Sequence, residues 1–455
     1  MMRVGGTLPT PHPSSCSHAM ANKSSLGTSS VVVAAFVGPG TVLTCASAGV
    51  KFGYQLAWVL LFATAAVFVL QSFTASTGIL ARQGLGEALR NANAGPAFSV
   101  FARILVVLGL WIGCASFELG NLSGAAAGLA NVVGADIQLK WFVLGLAIVA
   151  GFLLLLEVRF LIKLLSALVA LMGVLFLLAV FCTRVDWSAA MQGLFVPSVP
   201  DGSILTVIAL IGTTVVTYNL FLHASTTRDF WQSNPDARSS WKQELKGMAI
   251  FVPLGGLVSL AILFCGAALF GSDADFRKPG EFAGLLEPVA GSAARYLFGI
   301  GLLAAGLTSA ITAPLAAAAG ISELFDWKPN GPQFRLVWLS VLVTGVAFGL
   351  GGWSPLNVII AAQAANGLLL PLVAGFMLYL AVRQDAVQLP KWYVGLGVAI
   401  TLVCAGLGVK TLFWVAEKLN AKVEPIPARQ TEEPQKAALT FPVGRPDENH
   451  WPRGA

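Results

Sequence analysis

Long apolar runs, each bounded by a few charged or turn-forming residues, follow one another along most of the chain. A helix crosses the hydrocarbon of a bilayer in about 20 apolar residues. Eleven runs reach or approach that length: 31–51, 54–80, 99–131, 141–158, 161–181, 203–228, 246–271, 291–322, 336–351, 355–382 and 392–417. The fourth and fifth are parted only by the charged hinge from Glu157 to Lys163, and the ninth is short and follows Arg335. Stretches such as "SGAAAGLANVVGA" and "GLLAAGLTSAITAPLAAAAG" carry small residues that let helices approach closely, which predicts a compact bundle.

Two of these runs are interrupted in the middle. Gly38-Pro39-Gly40-Thr41 breaks the first, where proline lacks an N–H and lipid cannot replace the lost backbone bonds. The sixth carries Gly212-Thr213-Thr214-Val215-Val216-Thr217-Tyr218-Asn219, with no proline. There a continuous helix, its threonines bonded back to their own i−4 carbonyls, is the plain alternative. Interruptions five spans apart predict a 5+5 inverted repeat, with substrate near the midplane between half-helix ends and freed carbonyls.

The chain has 455 residues, 56% hydrophobic and 11% charged, with mean hydropathy +0.76. Soluble domains carry about 25% charged residues, so this is an all-α polytopic membrane protein. The repeats are expected at 29–181 and 203–383, with a final span at 391–418. Residues 1–28 and 422–455, polar and rich in Ser, Pro, Glu and Lys, are expected to be disordered tails, the first cytoplasmic and not a signal peptide. The net charge of +6 reads as lysine and arginine on cytoplasmic segments: Arg82, Arg90, Arg103, Arg159, Lys163, Arg228, Arg238, Lys242, Lys246, Lys328, Arg335, Arg383 and Lys391. With an odd number of spans the C-terminus falls outside the cell membrane. No basic run with interleaved aromatics points to nucleic acid, and no protein partner is implied beyond the lipid bilayer. The six cysteines form no C-x-x-C or Cys/His cluster, so neither a disulfide framework nor a metal site is read from them. No H-E-x-x-H, G-x-S-x-G or paired membrane aspartates mark an enzyme. The spans show no continuous polar file for a channel, and no appended folded domain suggests a sensor.

"GPGTVLTCASAGVKFGYQLAWVLL" resembles the first helix of the NRAMP divalent-metal transporters, with its D-P-G-N and A-G-x-x-[FY]-G-Y elements. "NLFLHAS" resembles that family's sixth helix, M-P-H-N-L-[YF]-L-H-S; "GLLAAGLTSAIT" is similar to its eighth and "AAQAANGLLLPL" to its tenth. The resemblance runs from about Val31 to Arg383. It implies a LeuT-like bundle with helices 1 and 6 unwound. Pro39, Gly40, Asn219, His223 and Gln363 match the family pattern. Gly38 stands where the family has its metal-binding aspartate, Thr41 where it has an asparagine ligand, and Val216 where it has a methionine. Thr217 and Tyr218 replace the following proline and histidine, and Glu118 and Asn121 align with the acidic pair of the family's proton route.

A dehydrated divalent cation needs several close oxygen ligands, carboxylate above all, and this site has no such carboxylate and no thioether. Neutral donors between two half-helix N-termini suit an anion instead. Thr41, Thr213, Thr214, Thr217 and Tyr218 are the expected donors, with Asn219 and Gln363 as substrate contacts or interhelical hydrogen bonds. The expected function is therefore secondary-active uptake of a small inorganic ion, bicarbonate first. The alternative is a proton-coupled importer of manganese, iron or magnesium. No cofactor is expected; a co-transported sodium or proton is. Thr308-Ser309 resembles the hydroxyl pair of a sodium site, although such pairs are often packing and back-bonding alone. Glu118 reads equally as a proton relay or gate and as a carboxyl paired with a neighbouring helix. His223 is a candidate for gating or proton movement.

Overall fold

A computed structural model describes residues 28–92, 96–134, 138–156, 158–271, 291, 293–351, 355–383 and 389–421. The tails at 1–27 and 422–455 lie outside the described residues. Every regular element described is a helix: α1 (Thr28–Phe36), α2 (Pro39–Phe52), α3 (Ala57–Ile79), α4 (Leu85–Asn91), α5 (Pro96–Val133), α6 (Leu139–Leu153), α7 (Val158–Cys182), α8 (Trp187–Phe195), α9 (Ile204–Thr214) and α10 (Thr217–Trp231). They continue as α11 (Ala237–Ala267), α12 (Ala293–Phe325), α13 (Pro332–Leu350), α14 (Pro355–Arg383) and α15 (Lys391–Ala421). Contacts divide the chain into one unit ending at Phe413 and a second beginning at Trp414; of the second, only the end of α15 is described.

Each of the eleven apolar runs holds a described helix. Among the described residues, eight spans are long and apolar enough to cross a membrane, one of them the interrupted run of α9 and α10, and the bent pair α1 and α2 adds a ninth. The shorter apolar helix Leu139–Leu153 holds the fourth place, and α14, with its apolar stretch Leu369–Val382, the tenth. Large apolar side chains on α6, α7 and α15 stand well exposed, including Ile148 at 73% and Phe181 at 78%. Such a surface is untenable in water and natural against lipid tails.

The sixth run is broken, so the continuous-helix alternative is overturned: α9 ends at Thr214 and α10 starts at Thr217. α11 begins at Ala237 rather than 246, because Asp236 caps it by accepting from the Ser239 N–H. The short helices α4 and α8 were not expected; Asp186 starts α8 by accepting from the N–H groups of Ser188 and Ala189.

The packing repeats with an interval of five spans. α2 packs on α11 as α10 packs on α3; α12 packs on α7 as α5 packs on α14; α5 packs on α6 as α12 packs on α13. α5 and α12, the third span of each half, share the most extensive contact in the bundle. The two broken spans are thus equivalent by this internal symmetry, and they cross near the same place.

Candidate functional site

α1 and α2 meet at a 55° bend. The last bond of α1 runs from Val37 N to the Val33 carbonyl, and the first of α2 from Val42 N to Gly38 O. Gly38 is the N-cap in extended conformation and Pro39 takes the first helical position, where its missing N–H costs nothing. The carbonyls of Ala34, Ala35 and Phe36 therefore lose their helical partners. Each is recovered by a side-chain hydroxyl. Ser309 of α12 donates to Ala34 at 3.3 Å, Tyr218 of α10 to Ala35 at 2.8 Å, and Thr41 of α2 to Phe36 at 2.5 Å. The Asn219 amide adds a bond to the Val32 carbonyl at 3.0 Å.

The second break is held by one residue. Asn366 of α14 accepts from the N–H of Thr217 at 2.7 Å and from its hydroxyl at 2.5 Å, capping α10. Its amide nitrogen donates to the carbonyls of Gly212 at 3.1 Å and Val215 at 2.9 Å, closing α9. All four hydrogen-bonding directions of this side chain are used on the break. The two breaks are joined by Thr41 and Thr213, whose hydroxyls lie 3.0 Å apart. Thr41 spends its only proton on Phe36, so Thr213 is the donor.

The expected residues sort clearly. Gly38, Pro39, Gly40, Thr41, Thr213, Val216, Thr217, Tyr218 and Asn219 lie at the two breaks, nearly or fully buried. Thr41, Thr217 and Tyr218 were expected to offer free donors to an anion; the structure corrects this, because freed backbone carbonyls and Asn366 already take them. Thr214 bonds back to Leu210 and belongs to its own helix. Thr308 likewise bonds back to Ala305, whereas Ser309 reaches α1. The Gln363 side chain lies outside the described residues; Asn366, one turn along, is the residue sequence reasoning missed. Its only signal was an asparagine among alanines in the segment quoted for Gln363.

Beside the first break, a Cβ at Gly38 would stand 2.7 Å from Ser309 Oγ and 3.5 Å from Asn121 Oδ1. Asn121 donates to Glu118 Oε2 at 3.3 Å. Glu118 is fully buried, and its other oxygen has no protein partner; its methylenes fill the space that a side chain at Gly345 of α13 would need. Asn219 Oδ1 is a second buried acceptor without a partner. His223 lies elsewhere, against Thr74 and Glu244. Among the described residues, no group of three His, Cys, Asp or Glu side chains could hold a metal ion.

The N-terminal end of α2 adds backbone donors to these acceptors. The amides of Gly40 and Thr41 precede the helix's first bond, and a helix start carries roughly half a positive charge. Beside it stand acceptors: Ser309 Oγ, Asn121 Oδ1 and the free oxygen of Glu118. The first break therefore sets the start of α2 beside hydroxyl, amide and carboxyl oxygens.

The family described as "Natural resistance-associated macrophage protein-like" matches residues 29–414. The chain is 28% identical over 397 residues to a protein of Burkholderia ambifaria named divalent metal cation transporter MntH, covering 84% of this chain and 86% of that one. A protein of the same name from Bacillus subtilis is 29% identical over 310 residues, covering 64% and 68%. Among solved structures, the manganese transporter of Eremococcus coleocola superposes with a TM-score of 0.72 at 20% identity, covering 93% of this chain and 92% of that one. Mhp1, a nucleobase-cation-symport-1 family transporter, gives 0.51 at 15% identity, covering 87% and 93%.

Proposed function

The chain belongs to the Nramp family of multi-pass membrane transporters; the names of its relatives favour a divalent metal as cargo, and from the chemistry of the site we propose instead that it carries a small oxyanion, bicarbonate, together with a cation. The observation behind this reading is the state of the first break: no carboxylate stands at Gly38, and the carbonyls of Ala34, Ala35 and Phe36 are each bound to an internal hydroxyl. A divalent cation at those carbonyls would compete with the hydroxyls already bound to them, at about 1–3 kcal/mol for each donor it displaces. An anion at the start of α2 needs none of them removed. The lysine and arginine pattern supports a cytoplasmic N-terminus.

Bringing an anion into a negative-inside cell costs about 2.3 kcal/mol per charge per 100 mV, so uptake requires a cation moving with it. Sodium suits the flank formed by the lone pairs of Ser309 Oγ and by Asn121 Oδ1. Ser309→Ala is expected to raise the sodium concentration for half-maximal uptake about tenfold, the equivalent of one lost oxygen ligand. Thr308→Ala, whose hydroxyl serves only Ala305, is expected to change it less than twofold. Initial uptake rates across a sodium series check both.

A second reading, divalent-metal import, is favoured by the names of the relatives and by two buried acceptors without partners near the breaks, Asn219 Oδ1 and Glu118 Oε1. Ligand-induced stabilisation of the purified chain separates the readings, since a ligand at 100 times its Kd stabilises by about 2.7 kcal/mol. The anion reading expects bicarbonate with sodium to raise the melting temperature and manganese or magnesium chloride to leave it unchanged; the reverse pattern would establish the metal reading. Tyr218→Phe unties the Ala35 carbonyl while keeping the ring against Phe117. It is expected to raise the apparent KM for the anion roughly five- to tenfold, read from uptake against substrate concentration.

A further inference from the structure

α11 is longer than a membrane crossing needs. Its stretch from Gly247 to Ala267 alone rises about 30 Å, the thickness of the hydrocarbon. The helix starts well before that, at Ala237, and the extension carries Arg238, Lys242 and Lys246 at intervals of four. Four residues advance a helix by about 40°, so the three form one stripe, rising about 12 Å. All three are exposed, and past them the same face continues with the exposed apolar side chains of Ile250 and Leu257. Glu244, on the opposite side, is fully buried and accepts from Thr28 Oγ1 at 2.6 Å and Ser29 Oγ at 2.8 Å of α1.

The neighbouring helices fix the level of this stripe. Ser29 reaches Glu244, and the next residue, Ser30, lies 2.6 Å from the Ser166 hydroxyl of α7. Lys163, less than one turn before Ser166, therefore stands level with Lys242 and Lys246. A Cβ at Gly173 of α7 would touch Leu254 and Val258 of α11. Lys163, ten residues earlier, is turned about 80° from that contact and is exposed, so it borders the α7–α11 seam on the outside of the bundle. On the other flank, the indole N–H of Trp241 donates to the Ser72 carbonyl at 3.5 Å, and the Ser72 hydroxyl lies 2.6 Å from that of Tyr393 of α15. Trp392, next to Tyr393, is exposed, and exposed tryptophans mark the headgroup level of a bilayer.

Within the protein the stripe has no counter-charge. Among the described residues, no ion pair engages Lys163, Arg238, Lys242 or Lys246. The acids nearest in sequence are committed elsewhere: Asp236 caps α11 through the Ser239 N–H, Asp229 holds Arg228, and Glu244 faces α1. Four unpaired basic side chains at the headgroup level, continuous with an apolar face, complement a molecule with an anionic head and apolar tails. A nucleic acid or an acidic peptide would match the charge and leave the apolar continuation unused.

We propose that the α7–α11 seam binds an anionic glycerophospholipid, with its phosphate among Lys163, Lys242 and Lys246 and its acyl chains along Ile250 and Leu257. Arg238, one turn further out, meets the outer part of the headgroup layer. Each lysine or arginine held near an anionic bilayer surface adds roughly fivefold to binding. The lipid braces α11 on the side opposite Glu244, where that helix holds the start of α1. The proposal rests on the chain's being a membrane transporter and is independent of which ion is carried.

Native mass spectrometry of the purified full chain in detergent, titrated with phosphatidylglycerol or with phosphatidylcholine of the same acyl chains, tests it. The wild type is expected to bind its first phosphatidylglycerol at least about tenfold more tightly than phosphatidylcholine. Lys242→Gln with Lys246→Gln is expected to weaken that binding about tenfold or more, and Lys242→Arg with Lys246→Arg to keep it within about twofold. Lys328→Gln with Arg335→Gln removes two exposed charges elsewhere and is expected to leave it within about twofold. Glycerol 3-phosphate, the same anionic head without tails, is expected not to displace the lipid at equal concentration. Equal affinity for the two lipids, undiminished affinity in the Lys242/Lys246 glutamine pair, equal loss in both glutamine pairs, an arginine pair no tighter than its glutamine counterpart, or displacement by glycerol 3-phosphate would each overturn the site. Because no transported ion is present, failure of the bicarbonate reading leaves these outcomes untouched.

Discussion

Gly38→Asp is expected to cut bicarbonate uptake by about two orders of magnitude while leaving the fold intact. Gly38 is the N-cap of α2, and aspartate is among the best N-cap residues, accepting from the second or third helical N–H. Those are the amides of Gly40 and Thr41, so the new carboxylate would sit in the place proposed for the anion. Its charge opposes a substrate about 5 Å away by roughly 3 kcal/mol at an effective dielectric of 20, about a hundredfold in affinity. The added Cβ also meets Ser309 Oγ at 2.7 Å, which shifts that hydroxyl off Ala34. Gly38→Ala measures this steric part alone and is expected to cost less than tenfold. If the site instead takes a divalent metal, Gly38→Asp restores a carboxylate ligand and metal influx rises. Uptake of labelled bicarbonate by the three proteins in parallel reads the difference.

Asn366→Leu is expected to abolish transport and to destabilise the protein by on the order of 3–5 kcal/mol. The side chain makes four hydrogen bonds, two to the start of α10 and two to the end of α9. Without it, two carbonyls, an N–H and a hydroxyl are buried without partners, at about 1–3 kcal/mol each before relaxation. Asn366→Asp keeps the acceptor for Thr217 and loses both donors, which brings a carboxylate against the carbonyls of Gly212 and Val215. It is expected to fold and to transport at a few per cent of the wild-type rate. Melting temperature in detergent and initial uptake rate, taken on both variants, check the order wild type, aspartate, leucine.

The break at Gly38-Pro39 was legible because proline lacks an N–H and two glycines flank it. The break after Thr214 was legible only through its five-span interval from the first, since threonine and valine do not forbid a helix. What closes the breaks was not legible. A sequence displays the hydroxyls of Thr41, Tyr218 and Ser309 as donors, but their acceptors are backbone carbonyls that exist only once α1 bends. Those hydroxyls therefore read as free for substrate when the fold had already used them. Asn366 sits among small residues where one asparagine reads as a common interhelical bond, and the family-matched Gln363 drew the inference one turn away. Glu244 stands between Lys242 and Lys246, which reads as a solvated stretch; only the start of α11 at Ala237 turns it inward onto His223. The fold followed from periodicity and the paired interruptions, whereas the donor–acceptor assignments depend on contacts between residues more than a hundred positions apart.

Proteoliposomes holding the purified full chain, loaded with a divalent-metal fluorophore and given an inward sodium gradient, put the ion itself to the test. Labelled bicarbonate should accumulate with sodium present and fall to the empty-vesicle level without it, and added manganese should leave the fluorophore unchanged. Manganese-dependent quenching with no bicarbonate accumulation would contradict the anion site at the start of α2.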